Sequence, residues 1–292
     1  MKPVFSGCAT ALVTPMRNGA PDFSALEVMI EDQINGGVSA LLPCGTTGEA
    51  PALSEEEKRM IVSFCVKCAS GRVPVIAGCG SPSAEFAARL AAAAQREGAS
   101  AVLAVTPYYN KASDEGVYLY YKTISSAVDI PVIAYNVPGR TGLSISDASY
   151  EKMQTIKNFA GVKEASGNVS RAAYLTSVFP NMPLYGGCDE LMAPIYAAGG
   201  TGVVSVVSNI LPGAVSRLCA ICESGRLIDA AVLQKKLSSL IRSLFSDINP
   251  IPVKTALAMM GKCDAEMRLP LCAMSQDKQD ALRLELANCG LL

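Results

Sequence analysis

The sequence predicts an α/β chain closed into a (β/α)8 TIM barrel with a C-terminal helical extension. Three observations point there. Short apolar, β-branched runs alternate repeatedly with longer helical patterns, eight strands in all. Most of these runs are apolar throughout rather than alternating, as strands buried on both faces of a parallel sheet are. A length of 292 residues suits one closed barrel of eight βα units better than an open sheet.

The strands are expected at 9–14, 38–43, 73–78, 101–106, 131–136, 159–164, 184–187 and 203–207. Helices are expected at 23–35, from Ser54 onward, and at 82–97, 114–128, 146–157, 169–179 and 190–198. Ser54 with Glu57 three residues later forms a capping box. Gly36-Gly37, Gly98 and Gly199-Gly200 stand where helices should end. After about Leu211 the strand signal stops, and 226–245, 252–260 and 276–288 read as helices. The division is therefore a catalytic barrel over 1–224 and a helical extension over 225–292, with no Pro/Ser-rich linker between them.

Composition narrows the function. Half the residues are hydrophobic and 17% are charged, with a net charge of −1, so nothing suggests a nucleic-acid or strongly charged partner. Lys2-Pro3 and the short apolar stretch ending at Pro15 do not make a signal peptide. No apolar run approaches the ~20 residues that span a membrane, so a cytoplasmic location is expected. Eleven cysteines in so long a chain read as reduced thiols. Cys65/Cys68 and Cys219/Cys222 are C-x-x-C pairs in helix-like stretches, so a four-thiol zinc site, on a non-catalytic thiol- or metal-binding barrel, is the alternative. There is no histidine. That removes every Ser-His-Asp or Cys-His mechanism and every imidazole ligand, acid or base.

Barrel active sites lie at the C-terminal ends of the strands. Reactive residues cluster there: the turn from Gly45 to Glu49, Thr106 to Asn110, Tyr135-Asn136, the loop from Val137 to Gly142, Lys163-Glu164 and Gly186-Gly187. Lys163 is pivotal, because a strand meant to be buried seldom carries a lysine without a reason. An amine desolvated in an apolar barrel mouth becomes a nucleophile. The plainer reading is a snorkelling lysine or a pair with Glu164, but neighbours along a strand point to opposite faces. Tyr135 is a proton carrier or a core tyrosine. The 45–49 turn offers amides and two hydroxyls to a carboxylate, and it lacks the P-loop pattern. Arg140 suits bidentate capture of a second carboxylate, although a surface arginine in a loop is commoner.

Taken together, these motifs resemble the dihydrodipicolinate synthase family, within the N-acetylneuraminate lyase superfamily of pyruvate-dependent class I aldolases. The resemblance covers nearly the whole chain. It runs from Ala-Leu-Val-Thr-Pro-Met at 11–16 through Gly-Thr-Thr-Gly-Glu, Thr-Pro-Tyr-Tyr-Asn, Tyr-Asn-Val-Pro-Gly-Arg-Thr-Gly and Gly-Val-Lys-Glu-Ala-Ser-Gly to Asn-Pro-Ile-Pro-Val-Lys at 249–254 and Arg-Leu-Pro at 268–270.

The resemblance implies Schiff-base condensation of pyruvate with L-aspartate 4-semialdehyde, in the diaminopimelate route to lysine, without metal or organic cofactor. It makes Lys163 the Schiff-base lysine and Tyr135 the proton shuttle. Thr46 and Tyr109 become its relay partners, with Tyr109 lent across a dimer interface. Thr47 would bind the pyruvate carboxylate and Arg140 that of the semialdehyde, while Gly187 and Val204 would line the pocket. A homotetramer, a dimer of dimers, is implied. N-acetylneuraminate lyase and keto-deoxy-sugar aldolases are the nearest alternatives; Arg140 and the Tyr108-Tyr109 pair favour the synthase. Many members are inhibited by L-lysine, some through histidines where this chain has Glu55 and Lys58. Tyr108 and Glu85 remain as contacts, and weak or absent inhibition is expected.

Overall fold

A computed structural model describes all 292 residues. Eight parallel strands form one sheet: β1 (Gly7–Ala11), β2 (Ala40–Leu42), β3 (Ile76–Gly78), β4 (Ala101–Val105), β5 (Val132–Asn136), β6 (Phe159–Glu164), β7 (Leu184–Gly186) and β8 (Gly202–Ser205). Their spatial order is β2-β1-β8-β7-β6-β5-β4-β3, and a single bridge from Leu41 to Val75 brings the two ends together. This is the barrel expected from the apolar runs. Several strands are shorter than the runs; β8 ends at Ser205 because Val206 is already helical and leads into a 3-10 turn, Val207–Asn209.

The helices are α1 (Phe23–Asn35), α2 (Glu55–Ala69), α3 (Ala84–Arg96), α4 (Asp114–Ser126), α5 (Asp147–Met153), α6 (Val169–Val178), α7 (Met192–Ala197), α8 (Pro212–Glu223), α9 (Leu227–Leu244), α10 (Ile251–Met259) and α11 (Gln276–Asn288). Asp22, Ser54, Ser83, Ser113, Ser146 and Asn168 cap α1 to α6, each accepting from an amide three residues on. The Ser54–Glu57 capping box is complete. Three elements besides the short 3-10 turns were not delineated in the sequence. Helix α8 and the one-turn helix Pro138–Thr141 both begin at proline, which favours the first helical position but reads as a loop. The third is a hairpin of two-residue strands, Met16–Arg17 and Ala20–Pro21, too short to show a period.

One hydrophobic core runs through the barrel and its helices. At the N-terminal floor Phe5 stacks on Tyr185 at 4.4 Å, and the Tyr185 hydroxyl accepts from the Val4 amide. The mouth stays open, and α9 and the segment to Asn249 pack beside it.

All eleven cysteines are free, and no three His, Cys, Asp or Glu side chains are grouped as a metal would need. The two C-x-x-C pairs lie on separate helices, α2 and α8, and do not assemble into the four-thiol site. No helix is long and apolar enough to cross a membrane.

Candidate active site

A cavity of about 600 Å³ opens at the barrel mouth. Lys163, Tyr135, Thr46, Thr47, Arg140 and Gly187 all line it. The lysine comes from β6 and the tyrosine from the adjacent β5, where they are direct cross-strand partners and so face the same way.

Lys163 is only 6% exposed, and its amine lies 4.2 Å from the centre of the Tyr135 ring. Glu164 turns to the opposite face, where its carboxylate accepts from Asn136 Nδ2 at 2.8 Å and from the Ser166 amide at 2.8 Å. The alternative of a Lys163–Glu164 pair is thereby excluded. Room for the lysine comes from Gly187: a Cβ there would sit 2.9 Å from Lys163 Cε and 2.6 Å from Ala165 Cβ. Any larger residue would push the lysine aside.

The turn after β2 is folded on itself. The Gly48 and Ala50 amides donate to Gly45 O, and the Glu49 amide donates to Thr46 O. The amides of Thr46 and Thr47 find no acceptor in the chain, so they remain for a ligand anion. Thr47 Oγ1 accepts from Asn249 Nδ2 at 3.0 Å, and Arg140 Nη2 donates to Asn249 O at 3.4 Å. Three distant segments thus meet at one point.

Glu49 ends the turn with a left-handed backbone, φ 56°. Its carboxylate accepts from Lys254 Nζ at 2.5 Å and from the Arg268 amide at 3.0 Å, and both side chains of the ion pair are fully buried. Such a pair holds position: removing one partner strands a buried charge. It ties the turn to the C-terminal extension.

One sequence expectation changes. Val206 lines the cavity and Val204 does not. Val204 pairs with Ala9, one layer beneath the Ala11 that reaches the cavity, and is packed into the barrel. Tyr109 does not enter the cavity of its own chain; it is 95% exposed on a left-handed turn, φ 73°. Thr46 and Tyr135 share the cavity wall, but no hydrogen bond joins their hydroxyls.

Several lining residues were missed. Asn249 is 8% exposed, and its Oδ1 is buried without a partner, a signal for a ligand donor that only packing reveals. Glu190, Ser238, Arg242 and Phe245 also reach the mouth. Cys188 lines it as well, with its thiol pushed up to about 11 by burial, so it stays protonated at neutral pH.

Residues 4–288 match the dihydrodipicolinate synthetase family. The chain is 42% identical over 290 residues to the 4-hydroxy-tetrahydrodipicolinate synthase of Endomicrobium trichonymphae, covering 99% of this chain and 100% of that one. It is 43% identical over 290 residues to the synthase of Nitratidesulfovibrio vulgaris strain DP4, covering 99% of each. Among solved structures, the dihydrodipicolinate synthase of Acinetobacter baumannii complexed with pyruvate superposes with a TM-score of 0.96 at 39% identity, covering 98% of this chain and 99% of that one.

Proposed function

The chain belongs to the dihydrodipicolinate synthetase family, and on that premise we propose that it condenses pyruvate with L-aspartate 4-semialdehyde through a Schiff base on Lys163. The product is 4-hydroxy-tetrahydrodipicolinate, and the reaction is a lyase-type step of diaminopimelate and lysine biosynthesis. The observation that carries the reading is a buried amine with no ion pair, facing a cavity whose opposite wall offers two unused amides to a carboxylate.

Lys163 attacks the pyruvate ketone, and loss of water leaves an imine. The Thr46 and Thr47 amides and the Thr47 hydroxyl hold the pyruvate carboxylate. The protonated imine draws electrons from the adjacent methyl group, so a proton leaves and an enamine forms. The enamine carbon bonds to the aldehyde carbon of the semialdehyde, whose carboxylate Arg140 grips. The substrate's amine then attacks the imine carbon, closes the ring and expels the lysine. Tyr135, whose hydroxyl has no partner in its own chain, carries the protons with Thr46. No step calls for a metal or an organic cofactor.

Tyr109 completes the relay from a neighbouring subunit. A tyrosine this exposed, on a strained turn outside its own cavity, is suited to that use. The active assembly is then a dimer or a dimer of dimers, and a fully active monomer would contradict the assignment.

The deciding experiment is borohydride reduction with pyruvate, followed by mass mapping. A reduced pyruvyl adduct is expected on Lys163. Full-yield trapping by Lys163→Ala would refute the central assignment. A parallel assay with sialic acid or a keto-deoxy sugar should give no cleavage.

A further inference from the structure

The cavity mouth carries two charges that the steps above leave unused, those of Arg242 and Glu190. Besides Lys163, its charged lining residues are Arg140, Arg242 and Glu190. All three are exposed at the mouth, and none takes part in an ion pair. Glu190 is the sole carboxylate on the lining.

Arg140 already answers the semialdehyde carboxylate, and Arg242 adds a second guanidinium for anions at the mouth. The lone carboxylate needs a cation, and the semialdehyde supplies one. Its α-amine is protonated in neutral water and must lose a proton before it can close the ring. We propose that Glu190 binds this ammonium and accepts its proton at ring closure, an assignment that rests on the pyruvate reading above.

The local structure supports the placement. Glu190 lies in the 3-10 turn Asp189–Leu191, directly after Gly187 and Cys188, so it stands on the Lys163 side of the mouth. Its neighbour Asp189 is buried and fully engaged, accepting from Ser205 Oγ at 2.5 Å and from the amides of Val206 at 2.9 Å and Val207 at 3.4 Å. Asp189 therefore anchors the turn and is not free for substrate. The unpartnered Oδ1 of Asn249, on the same cavity, is a second acceptor for an N–H.

In the step itself, one ammonium N–H proton passes to the Glu190 carboxylate. The freed lone pair forms the bond to the imine carbon, and the C=N π pair moves onto the Lys163 nitrogen. The ring nitrogen, now cationic with two hydrogens, passes one proton to the lysine nitrogen. The lysine C–N bond then breaks as the regained ring-nitrogen lone pair forms the ring C=N bond, and the remaining N–H proton leaves to water.

The test compares Glu190→Gln, Glu190→Ala and Glu190→Asp with the parent enzyme. The Gln and Ala variants should raise the KM for the semialdehyde about tenfold, the scale of one charge-assisted hydrogen bond. The KM for pyruvate and the borohydride-trapped yield on Lys163 should stay within twofold, and the Asp variant should recover part of the loss. Succinate semialdehyde, the same chain without the amine, should inhibit parent and variants equally. An unchanged semialdehyde KM in both Gln and Ala variants would overturn the assignment, and so would weakened inhibition by the amine-free analogue. A parent enzyme that traps no pyruvate would instead bring down the Schiff-base reading beneath it.

Discussion

The catalytic cavity and a smaller one of about 310 Å³ share Gly45, Thr46, Leu103 and Tyr135 as a common wall, yet their linings differ in kind. The first presents free charges and open amides. The second is walled by Cys44, Cys79, Phe86, Tyr108 and the helix carrying Glu55 and Lys58. Burial pushes the Cys44 and Cys79 thiols up to about 12 and raises the Tyr108 phenol. Lys58 is half-buried, with its ammonium 5.7 Å from the centre of the Phe86 ring and its pKa eased down by desolvation. Glu85, expected as a contact, does not line this space. The contrast teaches that polar groups near a shared wall need not serve one purpose. On one side they are left without partners, and on the other they are quenched by burial and aromatic contact.

That contrast can be tested from its largest expected effect downward. Lys254→Met strands Glu49 as a buried, unpaired charge beneath the shared wall, and should cost about 3–5 kcal/mol in chemical denaturation. A loss below ~1 kcal/mol would mean the pair is not what holds the turn. Tyr135→Phe keeps the wall's shape but removes the hydroxyl, and kcat should fall about 10²-fold or more, as for loss of a general acid–base. An unchanged kcat would return Tyr135 to the status of a packing residue.

The helix beside the second cavity should respond to acid. Arg268 forks onto Glu57 and holds its carboxyl at about 2, below the ordinary carboxylate range. The folded-state value is depressed, so this stabilisation is complete above about pH 4.5 and fades as pH falls toward 2. Glu57→Gln should flatten that acid limb in thermal melts. The smallest effect is a null one. L-lysine at millimolar concentration should leave activity within twofold, because Lys58 already places a cation in the second cavity. Strong cooperative inhibition would erase the distinction between the two linings.

Much of this was legible in residue order. Apolar runs at eight places, the Ser54 capping box and one lysine late in an apolar strand are local signals that need no knowledge of folding partners. Lys163 could be singled out as the candidate nucleophile because a buried strand tolerates so few polar residues. Asn249 and Glu190 carried no such mark. Each is an ordinary polar residue until the extension and the loop after β7 fold against the mouth. Val204 came from the resemblance alone, and a motif match does not say which layer of a strand meets the cavity.

The sequence by itself determined the barrel, the lysine late in the sixth strand and the absence of imidazole chemistry, because all three depend on residue type and short-range period. Tertiary structure alone decided how Glu49 is locked by Lys254, that Val206 lines the cavity and Val204 does not, and which charges stay free at the mouth. Those answers depend on contacts between segments some 200 residues apart, as in the 205-residue separation of Glu49 and Lys254, and no local pattern encodes them.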